Sequence, residues 1–163
     1  MRDFANIVAY LQSHSQHLVT AESCTAGLIA SLLGAVNGCG DWLECGFVTY
    51  SPAAKIRLLG VKLATIEEYG LTSEEVAREM AKGALEKSGA DIAIANTGVA
   101  GPDDAPDGTK AGTVCFAWGH HSEDGAIKIY SETQLFSGGR NEVRRAAARY
   151  AILNIERYPF SLS

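Results

Sequence analysis

The sequence predicts an α/β protein, a three-layer α/β/α sandwich in which helices cover both faces of a mixed β-sheet. Strand-like and helix-like segments alternate through the first part of the chain, as is typical of parallel strands joined by helices. Farther along, the segments 112–118 and 126–135 follow one another across a polar turn and predict an antiparallel hairpin. We expect the 163 residues to form one domain, 1–163.

Composition and charge narrow the classes of function. Hydrophobic residues make up 47% of the chain and charged residues 20%, which is ordinary for a globular domain. The net charge of −5 argues against a general nucleic-acid surface. No apolar run reaches the length of a transmembrane helix, and the first residues lack the order of a signal peptide. We therefore expect a cytoplasmic protein that contacts neither nucleic acid nor membrane.

The N-terminal third predicts a helix over 4–14, a strand over 17–20 and a second helix over 28–36. Between this strand and the second helix lies TAESCTAG, residues 20–27. The segment places a glutamate, a serine, a cysteine and a threonine at a helix start, where backbone N–H groups have no partner within the helix. Such a turn suits a helix cap, an anion, an oxyanion or a hydroxyl nucleophile.

The next strand, 45–50, leads into a helix whose first residue is predicted to be Pro52 and whose cap is Ser51. This places Lys55 in the first helical turn, at the positive end of the helix dipole. A positive environment lowers the pKa of a lysine, so Lys55 is a candidate base. The alternative interpretation is an ordinary surface lysine.

The remaining elements follow from caps and hydrophobic spacing. A short helix is predicted over 63–69, and Thr72 or Ser73 caps a long helix that ends before Gly89. A continuously apolar strand, 91–96, predicts burial on both faces. The chain closes with a helix over 141–157.

Four loops that follow strands are candidates for a site, because ligands of open α/β sheets bind at such positions. They are residues 22–25, 50–55, 97–102 and 137–140. None contains a histidine, which argues against a Ser-His-Asp triad. A lysine of lowered pKa can replace the histidine as base, and Lys55 is the candidate. Ser23 is the favoured nucleophile, and Ser51, four residues before Lys55 on the same helical face, remains the alternative.

The four cysteines predict neither a metal site nor a disulfide framework. They form no CxxC pair and have no histidine at zinc-ligand spacing. Cys24 lies at a helix start, which lowers a thiol pKa, but we interpret it as a neighbour of the reacting group.

Five motifs, in order, resemble the CinA C-terminal domain family, the family of nicotinamide-nucleotide amidases (PncC). They are TAESCTAG at 20–27, GFVTYSPAAK at 46–55, TGVAGP at 97–102, AGTV at 111–114, and FSGGR at 136–140 followed by Val143-Arg144. The resemblance covers essentially the whole chain. It implies a stand-alone form without the N-terminal nucleotide-processing domain of full-length CinA proteins.

The resemblance implies hydrolysis of nicotinamide mononucleotide to nicotinic acid mononucleotide and ammonia, in pyridine-nucleotide salvage and without a cofactor. In the mechanism we expect, Ser23 attacks the carboxamide carbon and Lys55 transfers the proton. Backbone N–H groups near residues 25–27, or the loop 98–101, stabilise the oxyanion. Tyr50 orients Lys55 or stacks near the pyridinium ring.

The substrate-binding residues expected from the resemblance include Glu22, which would offset the positive charge of the ring. Arg140 and Arg144 are candidates for the 5′-phosphate, since a guanidinium binds phosphate through two hydrogen bonds. The full expected set is Glu22, Thr25, Gly27, Thr97, Gly98, Gly101, Arg140 and Arg144.

Two positions depart from the pattern of the family, and two other functions stay open. Ala26-Gly27 stands where the family has Gly-Gly, and Gly139 stands where it has an aspartate before the arginine. One alternative is a catalytically silent nucleotide-binding or regulatory module. The other is a competence-linked nucleic-acid factor, which the net charge of −5 disfavours. A homodimer or higher homo-oligomer is compatible with such a pocket, and the oligomeric state stays open.

Overall fold

The computed structural model describes residues 4–158, and within this range the chain alternates helices and strands much as predicted. The predicted domain limits, residues 1 and 163, lie outside the described residues, so the single-domain expectation stays a prediction. In chain order the elements are α1 (Ala5–Ser13), β1 (Leu18–Glu22), α2 (Leu28–Gly34), β2 (Leu43–Val48), α3 (Pro52–Leu59), α4 (Leu63–Tyr69), α5 (Glu74–Ser88), β3 (Ile92–Gly98), β4 (Thr113–His121), β5 (Ile127–Leu135) and α6 (Arg140–Leu153), with short 3-10 helices at Cys39–Asp41 and Ile155–Arg157.

The five strands of this range form one sheet in the order β2-β1-β3-β4-β5. Strand β1 pairs in parallel with both β2 and β3. Strands β3, β4 and β5 pair antiparallel, so β4 and β5 form the predicted hairpin. The sheet is therefore mixed. The interior strand β1 is buried along its whole length, whereas the edge strand β2 alternates between half-buried and exposed residues.

Helices cover both faces of this sheet and divide the core in two. Helices α1, α2 and α6 pack on one face, where their apolar residues surround Trp118 and Phe116 of β4. Helix α5 and the end of α3 pack on the other face, against the small residues of β1 and β3. The predicted three-layer α/β/α arrangement is thus confirmed.

Close packing between α3 and α5 fixes the helix that carries Lys55. A Cβ atom at Gly83 of α5 would lie 1.8 Å from the carbonyl oxygen of Leu59, the last residue of α3. Only glycine permits this approach, because real Cβ atoms do not come so near to backbone. The α3–α5 contact therefore sets the position of α3 against the sheet.

The topology brings the four predicted site loops to one edge of the sheet. Strands β1, β2 and β3 run in the same direction, so their carboxyl ends meet there. Strand β5, two antiparallel steps from β3, ends at the same edge. The turns after these strands are therefore neighbours in space, although they are distant in sequence.

Helix α1, Ala5–Ser13, is one residue shorter at each end than predicted, and two other helices differ more from the prediction. Helix α2 ends at Gly34, two residues before the predicted end. Helix α6 ends at Leu153, and a separate 3-10 turn, Ile155–Arg157, continues the segment that was predicted as one helix. Both differences lie at helix ends, where hydrophobic spacing gives little information.

Candidate active site

The centre of the site is a direct contact between Ser23 and Lys55. The amine Nζ of Lys55 lies 2.8 Å from the hydroxyl Oγ of Ser23. Both residues are buried: Lys55 is 0% exposed and Ser23 is 6% exposed. The residues come from the turn after β1 and from the first turn of α3, the two segments that the sequence singled out.

Burial lowers the pKa of Lys55 to about 8, because the charged ammonium is removed from water. The sequence predicted a lowered pKa from the helix dipole, but the main cause in the structure is desolvation. Among residues 4–158, no carboxylate oxygen forms an ion pair with Nζ that would oppose this effect. A substantial fraction of the amine is therefore neutral near physiological pH.

Two backbone carbonyls fix the orientation of the amine. Nζ lies 2.6 Å from the carbonyl oxygen of Thr49 and 3.3 Å from that of Tyr50. A charged ammonium can donate its three hydrogens to these two oxygens and to Ser23. A neutral amine has only two, and when the carbonyls accept both, its lone pair faces the hydroxyl of Ser23. This arrangement suits the removal of a proton from Ser23.

Ser51, the alternative nucleophile, has a different role in the structure. Its hydroxyl accepts a hydrogen bond from the backbone N–H of Ala54 at 3.1 Å, and the residue is exposed. It is thus the cap of α3, as its position before Pro52 predicted. The amine of Lys55 binds the hydroxyl of Ser23, whereas the contact of Lys55 with Ser51 is a backbone hydrogen bond from its N–H to the Ser51 carbonyl at 3.1 Å.

Glu22, the last residue of β1, caps the start of α2. Its carboxylate is fully buried and accepts the hydroxyl of Thr25 at 2.6 Å. It also accepts the backbone N–H groups of Gly27 and Ile29 at 3.0 Å and of Ala30 at 2.8 Å. The structure does not support the expected role of Glu22 beside a substrate ring, nor a free N–H at Gly27, because these groups satisfy one another.

Two side chains from distant segments hold the turn that carries Ser23. Asn96, at the end of β3, is fully buried; its Oδ1 accepts the N–H of Ser23 at 3.2 Å, and its Nδ2 donates to Thr25 at 2.9 Å. Arg144 of α6 donates to the carbonyl oxygens of Cys24 and Thr25 at 3.2 and 3.1 Å. The sequence analysis missed Asn96, and its one signal was a polar residue at the end of an apolar strand. The contacts of Arg144 do not support the phosphate role expected for it.

A cavity of about 530 Å³ lies near the serine–lysine pair, although neither Ser23 nor Lys55 belongs to its wall. Tyr50 links the two, since its carbonyl binds Lys55 and its side chain lines the cavity. Arg140 also lines it and donates to the phenol oxygen of Tyr50 and to the carbonyl of Gly101, both at 2.7 Å. The other lining residues are Leu71, Thr72, Gly98, Val99, Ala100, Gly101, Pro102, Asp103, Ala105, Pro106 and Asp107.

The loop 97–102 supports the cavity through its backbone. A Cβ atom at Gly98 would lie 2.7 Å from the carbonyl oxygen of Thr113, so glycine allows β3 and β4 to stay close where the loop begins. The hydroxyl of Thr97 donates to the carbonyl of Leu71 at 2.9 Å and ties this loop to the segment before α5. Thr97 therefore has a structural partner, whereas Gly98 and Gly101 form part of the cavity wall.

Cys24, the thiol next to Ser23, does not compete with this pair as a nucleophile. Burial raises the pKa of Cys24 to about 12, so its thiol stays protonated and unreactive.

Within residues 4–158, no group of three or more histidine, cysteine, aspartate or glutamate side chains has an arrangement suited to a metal ion. In the same range, no helix combines the length and the apolar character needed to cross a bilayer.

Fold and site together define an α/β protein with a buried serine–lysine pair at the carboxyl edge of a mixed sheet. The chain belongs to the CinA family: the family model described as "CinA C-terminal domain" matches residues 3–158. This confirms the resemblance found in the motifs.

Relatives and solved structures agree with this assignment. The chain is 44% identical to the nicotinamide-nucleotide amidohydrolase PncC of Enterobacter agglomerans, over 90% of this chain and 87% of that protein. It is 41% identical to a CinA-like protein of Chlorobaculum tepidum, over 94% of this chain but only 37% of that longer protein. The crystal structure of the competence damage-inducible protein A from Klebsiella pneumoniae matches with a TM-score of 0.92 at 34% identity, over 99% of this chain and 98% of that chain.

Proposed function

We propose that this protein hydrolyses the carboxamide of nicotinamide mononucleotide to nicotinic acid mononucleotide and ammonia, as a step of pyridine-nucleotide salvage in the cytoplasm. The observation that carries the proposal is the 2.8 Å contact between Nζ of Lys55 and Oγ of Ser23, buried beside a cavity. The relatives named nicotinamide-nucleotide amidohydrolases, from Enterobacter agglomerans and Escherichia coli, support the choice of substrate.

In the first half of the reaction, Ser23 is the nucleophile. Neutral Lys55 takes the hydroxyl proton while Oγ forms a bond to the carboxamide carbon. The tetrahedral intermediate then collapses, the carbon–nitrogen bond breaks, and Lys55 returns the proton to the leaving nitrogen, which departs as ammonia. The product of this half is an ester between Ser23 and the nicotinate group.

In the second half, water takes the place of the serine hydroxyl. Lys55 removes a proton from water as its oxygen bonds to the ester carbon. The bond from carbon to Oγ then breaks, and Lys55 returns the proton to Ser23. The acid is released, and the enzyme regains its starting state without a cofactor.

The oxyanion of each intermediate needs donors close to Ser23. The amide of Gly27 binds Glu22, and that of Ala26 binds the carbonyl of Ser23. Within residues 4–158, the amide of Thr25 has no acceptor although the residue is buried, whereas the amide of Cys24 faces its own thiol. Buried amides are normally paired, so we assign the N–H of Thr25 to the oxyanion.

The cavity is suited to the rest of the nucleotide. Its apolar wall includes Val99 and Pro102, and Tyr50 supplies an aromatic face against which a pyridinium ring can stack. Arg140 on the same wall is the proposed ligand of the 5′-phosphate. In this proposal Arg140 exchanges its contact with Tyr50 for the phosphate, and the backbone of Gly98 and Gly101 shapes the space between.

The direct test is ammonia release from nicotinamide mononucleotide, combined with acid quenching and mass spectrometry of the protein. We expect wild type to release ammonia, and we expect the trapped acyl group on a peptide that contains Ser23 but not Ser51. Lys55→Met should lower the rate by at least about 10³-fold. Lys82→Met, which removes an exposed lysine of α5, is the matched control and should retain the wild-type rate.

Each contrary result has a separate meaning. An acyl group on the peptide of Ser51 would contradict the nucleophile. A wild-type protein that is thermally stabilised by the nucleotide but releases no ammonia would contradict the amidase and support the catalytically silent nucleotide-binding module.

A further inference from the structure

The guanidinium of Arg144 lies across two successive peptide groups of the turn that carries Ser23. Its Nε donates to the carbonyl oxygen of Cys24 at 3.2 Å, and its Nη2 donates to that of Thr25 at 3.1 Å. Its Nη1 donates to Asn141 on the same helix at 3.1 Å, which holds the planar group in place. Arg144 is thus committed to backbone, and it does not belong to the described lining of the cavity.

Binding the carbonyl of Cys24 also fixes the amide of Thr25, because both belong to one peptide group. Among residues 4–158, the one cis peptide bond is Gly101-Pro102, so this peptide is trans. In a trans peptide the C=O and N–H bonds point in opposite directions. The N–H of Thr25 therefore points away from Arg144.

The direction of the Thr25 N–H can be related to the two faces of the sheet. Helix α6, which carries Arg144, packs on one face, whereas α3, which carries Lys55, lies on the other. Because the N–H of Thr25 points away from α6, it points to the opposite side of the turn. This is the side from which Lys55 reaches Ser23. Among the described residues, this buried amide has no acceptor.

The positive charge of Arg144 has a second effect on the same peptide. A cation at the carbonyl oxygen draws electron density through the peptide group and makes its N–H a stronger donor. The hydrogen bonds that the Arg144 guanidinium donates to the adjoining carbonyls help to offset the cost of leaving this buried N–H unpaired. The arrangement keeps one amide oriented and unpaired beside the nucleophile.

We propose that Arg144 is a positioning residue that orients and polarises the Cys24–Thr25 peptide, so that the N–H of Thr25 receives the oxyanion. This inference rests on the proposed amidase function. It replaces the role in phosphate binding that the sequence suggested for Arg144 and leaves that role to Arg140.

The test compares Arg144→Gln and Arg144→Lys with two substrates, nicotinamide mononucleotide and nicotinamide riboside, which lacks the phosphate. We expect Arg144→Gln to lower kcat by about 10- to 100-fold on both substrates alike, somewhat less than the loss of an oxyanion donor itself. KM should stay within about twofold, because the cavity is untouched. Arg144→Lys should recover only part of kcat, since an ammonium cannot span both carbonyls in one plane.

Arg145→Gln is the matched control, because it removes the same charge from the neighbouring, exposed position of α6 and should leave both constants unchanged. Circular dichroism and thermal melting verify that each variant is folded. If Arg144→Gln does not fold, kcat and KM are measured on Arg144→Lys instead. The rate of wild type should increase with pH up to about 8, as Lys55 loses its proton. The folded variants should keep this increase, since Lys55 is unaltered.

Two results would overturn the inference while leaving the amidase intact. One is a raised KM for the mononucleotide with a normal riboside reaction, which would make Arg144 a phosphate ligand. The other is a normal kcat for Arg144→Gln. If wild type itself releases no ammonia, the proposed function fails, and this inference fails with it.

Discussion

Two strand-to-helix junctions at the same edge of the sheet each contain a serine, and the two serines have different environments. At the junction from β2 to α3, Ser51 directly precedes the helix and accepts the N–H of Ala54. At the junction from β1 to α2, residues 23–27 intervene, and the buried carboxylate of Glu22 accepts the amides at the helix start. The hydroxyl of Ser23 is left to Lys55.

The difference shows how a helix start can be capped without using the serine beside it. The capping hydroxyl of Ser51 is exposed and serves one amide. A carboxylate placed earlier in the chain serves several amides, and it leaves the following serine free for chemistry. The exposed junction supplies the base, and the buried one supplies the nucleophile.

The largest expected effect comes from replacing each of the two serines with alanine. Ser23→Ala should lower ammonia release by at least about 10³-fold, with the fold preserved, because the nucleophile is lost. Ser51→Ala should keep the rate within about twofold and lower the free energy of unfolding by about 1 kcal/mol, the usual cost of a lost cap. Activity assays and urea denaturation measure both. Reversed outcomes would exchange the roles of the two junctions.

The base at the exposed junction predicts the dependence on pH. Because only neutral Lys55 accepts a proton and its pKa is lowered to about 8, kcat/KM should rise about tenfold per pH unit up to that value. Between pH 6 and 8 the expected gain is thus about 50-fold, since about 1% of the amine is neutral at pH 6 and about half at pH 8. Lys82→Met should show the same profile, and a rate that is flat over this range would rule out Lys55 as base.

The same shift of pKa has a consequence for stability. Folded Lys55 loses its proton near pH 8, whereas the unfolded chain loses it near 10.5. Between these values the unfolded state binds more protons, so raising the pH stabilises the folded protein. Relative to Lys55→Met, wild type should gain up to roughly 3 kcal/mol across this window. A constant difference in urea denaturation would contradict the lowered pKa.

Removing the charge of Glu22 tests its role as the cap of α2 at the junction from β1. Glu22→Gln keeps the shape but replaces one acceptor oxygen with a donor, and we expect a loss of about 2–3 kcal/mol in the free energy of unfolding. Glu142→Gln is the control, since Glu142 accepts the N–H of Gly139 at the exposed start of α6 and should cost less than about 1 kcal/mol. Equal losses in chemical denaturation would show that Glu22 has no special role.

The smallest expected effect concerns backbone strain in the turn of Ser23. Ala26 has a φ of +49°, in the left-handed region that favours glycine. Ala26→Gly should raise the free energy of unfolding by about 0.5–1 kcal/mol, since relief of strain exceeds the added freedom of the unfolded chain. Ala146→Gly, inside α6, should instead lower it by about 1 kcal/mol. A loss of stability in both variants would exclude strain at Ala26.

Local patterns were sufficient where the determining contacts lie within one segment. The cap at Ser51 and the helix start at Pro52 were predicted from adjacent residues and are confirmed. Helix α5 begins after Ser73, as one of the two predicted caps required. The long-range partners of the site were not accessible in this way: Asn96 lies 73 residues from Ser23, and Arg144 lies 119 residues from Thr25.

The sequence by itself determined the alternation of elements, the family, and the two segments that carry Ser23 and Lys55, because periodicity, caps and ordered motifs are local properties. Only the tertiary structure decided which serine meets the lysine and what lowers the pKa of that lysine. It also committed Glu22 and Arg144 to the turn rather than to the cavity. The reason is physical: burial and hydrogen-bond partners depend on how β1, β3, α3 and α6 pack together, and no single segment contains that information.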